Sequence, residues 1–265
     1  MSVGVRIRPV VSVARLSVVE LFRRRDVYVA LIFALVVGVP LLGANVFGVE
    51  GAVRYVRELV LLLVWVCSVA VSLTTAARQL PGEIQRRTIL PLLARPVTRA
   101  EVVVGKWAGA AAASCAATLL LYGCYAALTA LKSGGGGAGG WGVLAQSVAL
   151  HLCAVLLICA LAVLGSLVLT ASANVTLSAL LVAGMLLFGS RLYELAAATP
   201  GVGGVCARLL HWGLPHVELF DLRLRVVHGW EPLGAWVFVA ILAYGLLYAA
   251  SLVGAAALVF SRKRL

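Results

Sequence analysis

The sequence predicts an all-α, polytopic membrane protein with six transmembrane helices. Three observations carry that expectation. The chain of 265 residues is 63% hydrophobic and 12% charged, where soluble domains are roughly 45–50% apolar and about 25% charged. Several apolar runs reach the roughly 20 residues that a helix needs to cross a bilayer. The charges collect at the ends of those runs, where positive residues set topology.

The elements follow in order. Residues 1–26 precede the first apolar run, and within 6–26 Val11, Ala14, Val18, Leu21 and Phe22 fall on one helical face. Ser17, Glu20, Arg23 and Arg24 fall on the other, the pattern of an amphipathic helix on a membrane surface. The Arg23-Arg24-Arg25 cluster suits an anionic leaflet. Span 1 is expected over Val27–Phe47, and with no small-residue cleavage site after it, it stays in the protein. A short polar connection carries Glu50, Arg54 and Glu58 at i,i+4 spacing, and span 2 covers Leu59–Ala77.

The stretch Pro81–Gly109 is the most polar part of the chain, and 78–100 is expected to be the loop between spans 2 and 3. Pro81-Gly82 is a turn signal expected to end the preceding helix. Pro91 and Pro96 lack an N–H and prevent one continuous helix. Thr98-Arg99-Ala100-Glu101 reads as a capping box that opens a new helix. Span 3 then covers Glu101–Leu131, with Gly105 and Gly109 as a small-xxx-small pair for close helix packing. Lys132–Gly140 is a flexible Gly-rich loop. No GxxxxGK[ST] occurs anywhere, so no ATPase activity is expected of this chain.

Span 4 is expected over Trp141–Ala171, a tight turn at Ser172-Ala173-Asn174, and span 5 over Val175–Tyr193. The connection 194–231 is the longest between spans. Span 6 covers Pro232–Phe260, and Arg262-Lys263-Arg264 make a basic tail.

Six spans put both termini on one side of the membrane. That side collects Arg6, Arg8, Arg15, Arg23, Arg24, Arg25, Arg78, Arg86, Arg87, Arg95, Arg99, Lys106, Arg262, Lys263 and Arg264. The other side holds Arg54, Arg57, Lys132, Arg191, Arg208, Arg223 and Arg225. The positive-inside rule makes the first side cytoplasmic and the chain a multi-pass protein of the cell membrane. The net charge of +12 is thereby a matter of topology, and with no basic-aromatic patch no nucleic acid is expected as a partner. Cys67, Cys115, Cys124, Cys153 and Cys159 lie inside apolar runs without CxxC spacing and read as small buried hydrophobes. Cys206 alone lies in a loop, and no disulfide framework is expected.

The apolar interiors hold almost no ionisable groups apart from His151. Intramembrane charges mark ion pathways, so an ion-coupled carrier is disfavoured. An intramembrane protease is disfavoured too, for lack of an Asp pair or a Ser nucleophile motif near a His. His151 is expected to hydrogen-bond to a neighbouring helix. The connection carries His211, His216, Glu218, Asp221 and His228, residue types that bind copper or zinc. Their spacing matches no compact metal motif, whereas Trp212, Phe220 and Trp230 suit an interfacial aromatic belt. An amphipathic interfacial helix within 209–230 is the favoured reading over a metal site, and no metal is assigned.

The residues Glu83, Thr88, Leu92, Leu93, Pro96, Val97, Arg99, Gly105, Lys106 and Gly109 resemble the loop of type 2 ABC exporter permeases. There a pattern near E-x-x-x-x-T-x-x-x-L-L-x-x-P-V-x-R-x-x-x-x-x-G-K-x-x-G follows the second span. The likeness is greatest to permeases grouped with multi-copper enzyme maturation systems. Many members have Gly before the Thr; this chain has Arg87. The resemblance implies one permease domain over 1–265, an N-terminal elbow helix, and a coupling helix between spans 2 and 3. That helix would dock on a separate cytoplasmic ATPase subunit carrying ATP and Mg. It implies Glu83, Arg86, Arg87, Thr88, Pro96, Thr98 and Arg99 as coupling residues, and a gate built by the 194–231 connection. It also implies a homodimer, or a heterodimer with a second permease, set in membrane lipid. This chain itself would bind no cofactor and catalyse nothing. The alternative is a non-transporting membrane scaffold that recruits a cytosolic partner through 81–109.

Overall fold

The long apolar runs fold as helices because a segment in hydrocarbon must satisfy its own backbone. The computed structural model of the chain describes residues 50–85, 98–133, 139–199 and 201–262. The expected surface helix in 1–26 and span 1 lie outside the described residues. The helices are α1 (Glu50–Gln85), α2 (Arg99–Ser133), α3 (Gly139–Ser166), α4 (Ala171–Ala198), α5 (Val202–Gly213), α6 (Arg223–His228) and α7 (Ala235–Arg262), with a 3-10 turn at Val217–Phe220. No strand occurs among the described residues. Among the described residues five helices, α1 to α4 and α7, are long and apolar enough to cross a membrane.

Helix α3 is the centre of the bundle. It is apolar all round, as a buried helix must be, and it touches α1, α2, α4 and α7. In its most apolar window 61% of the residues are buried, against 22% for α4 and 17% for α7. Leu150, Ala154, Val155, Leu157, Ile158, Cys159, Ala160 and Ala162 are wholly enclosed. Trp107 of α2 ties itself to α3 by donating Nε1–H to the Leu156 carbonyl at 3.1 Å. The outer faces of α4 and α7 remain open, with Leu180, Leu187, Trp236 and Leu247 exposed.

Three expectations about boundaries are corrected. First, α1 does not stop at Pro81-Gly82 but runs on to Gln85. The proline's φ suits a helix, and four residues from the end it removes only one hydrogen bond. Second, Glu50, Arg54 and Glu58 are not in a separate connection; they lie in the first turns of α1, and its 36 residues span about 54 Å. Third, the α3–α4 turn is not at Ser172-Ala173-Asn174. It lies at 167–170, closed by the Leu167 N–H on the Leu164 carbonyl and the Leu169 N–H on the Gly165 carbonyl. Asn174 belongs to α4 and is buried. Its Nδ2 donates to the Ala162 carbonyl at 2.7 Å, and its Oδ1 accepts from the Ser178 hydroxyl at 3.2 Å. The Asn174 amide lies where a Cβ on Gly165 would stand, so only glycine fits there.

The chain directions give the bundle two ends. At one end, here the motif end, α1 finishes, α2 begins and α7 finishes. At the other, the far end, residues 201–234 fold over the helices.

Candidate functional site

The motif end is built on the predicted capping box. The Thr98 N–H donates to Glu101 Oε2 at 2.8 Å, and the Glu101 N–H donates to Thr98 Oγ1 at 3.3 Å. Each group satisfies an N–H that an opening helix leaves without a partner. Glu101 is buried. Arg99 reaches across to α7, where its guanidinium donates to the carbonyls of Phe260 at 3.4 Å and Ser261 at 3.1 Å. A cation on the last carbonyls of a helix meets the negative end of its dipole. The start of α2 and the end of α7 are thereby one unit. Gly105 and Gly109 are both buried one and two turns further along α2. Glu83 lies in the last turns of α1. Arg86, Arg87, Thr88 and Pro96 lie outside the described residues.

A buried polar centre joins α1, α2 and α3. His151 is enclosed, with Ser68 Oγ 2.6 Å from Nε2 and the Tyr122 hydroxyl 3.0 Å from Nδ1. Trp65 stacks on the imidazole at 4.7 Å between ring centroids. One neutral tautomer satisfies every group. Ser68 donates its proton to the Trp65 carbonyl at 2.8 Å. Nε2–H then donates to Ser68, and Nδ1 accepts from Tyr122. In this arrangement the imidazole donates to the serine, and Tyr122 stands where a triad has its carboxylate. The centre fastens three helices, as expected of His151. That Ser68 would meet it was not legible in the sequence. Further towards the motif end, Thr75 and Ser114 continue the polar line at 3.1 Å between hydroxyls.

The far end is covered by the connection, which is not one interfacial helix. Pro215 follows α5, and the chain continues as the 3-10 turn and the short α6. Asp221 opens α6 by accepting the Arg223 N–H at 3.0 Å. Its carboxylate also takes a forked bond from the Arg223 guanidinium, with Nε 2.8 Å from Oδ1 and an Nη 2.6 Å from Oδ2. That guanidinium lies over the Trp65 ring at 5.9 Å. Carboxylate, guanidinium, indole and imidazole thus form a column from the cover into the polar centre. Phe220 is buried against α7, where a Cβ on Gly245 would come within 2.7 Å of its ring and 2.6 Å of Cys153 Sγ. Gln146 of α3 clamps the approach to α7. Its Nε2 donates to the Leu233 carbonyl at 3.0 Å, and its Oε1 accepts the Leu233 N–H at 2.8 Å.

The three histidines of the connection do not share one site: His211 and His216 meet, and His228 stands apart. The Tyr244 hydroxyl accepts the His216 N–H at 3.1 Å and lies 3.2 Å from His216 Nδ1. If the hydroxyl donates to Nδ1, Nε2 carries the proton and donates to His211 Nδ1 at 3.2 Å. Partial burial, then the nearby His211, lowers the His216 pKa below the ordinary histidine value, with Glu218 opposing. Glu218 occupies the place a side chain on Gly189 would need. Asp221 is committed to Arg223, and His228 stacks on Trp230 at 5.5 Å. Among the described residues no three His, Cys, Asp or Glu side chains form a metal-binding group.

Among curated proteins, none matches the chain. A family model described as "ABC-2 family transporter protein" matches residues 23–265, nearly the whole chain and both ends of the bundle. With five helices among the described residues apolar enough to span a bilayer, the chain belongs to the ABC-2 transporter family as a multi-pass membrane permease.

Proposed function

We propose that this chain is the membrane subunit of an ATP-driven exporter, driven by a separate cytoplasmic ATPase subunit that docks on the 78–100 loop. In this reading the first span and both termini follow the expected topology, and the motif end faces the cytoplasm. ATP and Mg reside on the ATPase. Two permeases, identical or related, pair with two ATPases.

The observation that carries the reading is the attachment at the motif end. The loop leads into α2 through Thr98, and Arg99 binds the end of α7. A displacement of the loop is then delivered to two spans at once. Both spans pack on α3, and α7 leads back to the far end through Leu233 and Gln146. Closure of the ATPases would push the loop, move α2 and α7 against α3, and disturb the cover. In this scheme Glu83, Arg86, Arg87, Thr88 and Pro96 serve the docking surface, whereas Thr98 and Arg99 transmit. Asp221, Arg223 and Phe220 belong to the gate.

The test is to co-express the chain with the ATPase encoded beside it and purify the two from detergent. A stable complex is expected, with Glu83→Ala weakening retention. Arg99→Ala should leave the complex intact but uncouple ATP hydrolysis from movement of the far end, read by a fluorophore on the connection. A folded permease that never retains an ATPase overturns the exporter reading and favours the scaffold.

A further inference from the structure

The open face of α4 carries a groove of about 410 Å³ that the transport scheme does not use. Its walls are Leu180, Leu181, Gly184, Phe188 and, from the segment after α5, Leu214. At its end stands a single polar side chain, Arg191. Among the described residues Arg191 has no hydrogen-bond or ion-pair partner. The volume is that of a ligand site, roughly 300–1,000 Å³.

Position along the helix identifies what would fill it. From Ala171 to Arg191 is about 30 Å of helix, the thickness of the hydrocarbon core, so Arg191 stands at its far-end boundary. From Leu180 to Arg191 is about 16 Å, the depth of one leaflet. The groove thus runs from the bilayer midplane to the head groups, with a guanidinium at the level of the phosphates. Arginine's planar fork suits phosphate oxygens. One turn further out, Glu194 is exposed and makes no ion pair with Arg191. A second groove between α2 and α3, lined by Tyr122, Gly123, Trp141 and Leu144 among others, has no charged residue at all.

We propose that the α4 groove is a binding site for an aminophospholipid. One acyl chain lies along Leu180, Gly184 and Phe188, the phosphate meets Arg191, and the primary ammonium of the head group meets Glu194. The paired charges select a head group with an anion inside and a cation outside, over one that is only anionic. The site stands apart from the coupling loop and does not depend on the exporter reading.

Native mass spectrometry of the full-length chain, purified from detergent, tests this. The probes are phosphatidylethanolamine, phosphatidylglycerol and phosphatidylcholine with the same acyl chains. Phosphatidylethanolamine should be retained about tenfold better than phosphatidylglycerol, the size of one charge-assisted hydrogen bond. Arg191→Gln should lower retention of all three. Glu194→Gln should erase the preference for phosphatidylethanolamine. Gly184→Leu should block the groove, because a Cβ there has no other atom within 4 Å and the side chain extends from the groove wall. Gly123→Leu, which fills the other groove with equal ease, should change nothing. Equal retention of phosphatidylethanolamine by the wild type, Arg191→Gln and Gly184→Leu overturns the proposal. So does a preference for phosphatidylglycerol, or self-crosslinking of a Phe188→Cys variant in the membrane, which would assign the face to a second copy.

Discussion

The two ends of the bundle are secured by different chemistry. At the motif end, Thr98, Arg99 and Glu101 bind backbone groups: N–H groups of an opening helix and carbonyls of a closing one. At the far end, pairs between side chains join the backbone bonds: Asp221 to Arg223, His211 to His216, and Phe220 into a slot beside Gly245, with Gln146 on the Leu233 backbone. Backbone targets travel with their helix, so the motif end can move as a block. Side-chain contacts between elements break one by one, which under the proposed exporter scheme would suit a cover that opens and reseals. The capping partners are three residues apart, whereas the column from Asp221 to His151 draws on three elements.

Four measurements would sharpen or break this contrast. The largest effect is expected for Phe220→Ala, which leaves a cavity where α3, α7 and the connection meet. It should lower stability by about 3–5 kcal/mol in denaturant unfolding of the detergent-solubilised protein. Asp221→Asn should come next, at about 1–3 kcal/mol, since the half-buried Arg223 loses its charged partner. Trp65 lies beneath that guanidinium, so a shift in tryptophan emission should accompany the loss. Thr98→Ala should cost about 1 kcal/mol, the value of one helix cap, without altering that emission. A larger cost for Thr98→Ala than for Asp221→Asn would reverse the comparison.

The smallest effect is on pH. His216 has a lowered pKa in the folded protein, so the unfolded chain binds its proton first. Its contribution is complete above the ordinary histidine value of about 6.5 and falls as pH drops from there towards the folded value. Stability of the far end, read by hydrogen exchange in the connection, should decline modestly over that range, and His216→Gln should flatten the decline. A decline confined to the motif end would refute the assignment.

Much of the architecture could be read from local pattern alone. The capping box was legible because its partners sit within one turn. Span positions for α2, α3 and α4 followed from runs of apolar residues. Pro81 misled because a proline near a helix end costs one bond and need not stop the helix. Asn174 misled because asparagine favours turns when exposed, yet here its amide finds the Ala162 carbonyl twelve residues back. The polar centre and the column were out of reach. Nothing near Ser68 in sequence signals a histidine 83 positions later. Likewise the five candidate ligands of the connection could be named, but only folding shows that Glu218, Asp221 and His228 turn to different partners.

The link between Asn174 and Ala162 bears on how the protein is made. An asparagine entering hydrocarbon alone carries two donors and an acceptor that lipid does not satisfy. Its partner carbonyl is only twelve residues earlier, on the helix synthesised just before, and Gly165 leaves the space for the amide to arrive. Pairing of α3 with α4 as they are made, ahead of α7, would satisfy the amide before it is left in lipid. Replacing Gly165 with a larger residue would strike at biogenesis: the hairpin would reach the membrane unzipped, and the defect would show as degraded newly made chain.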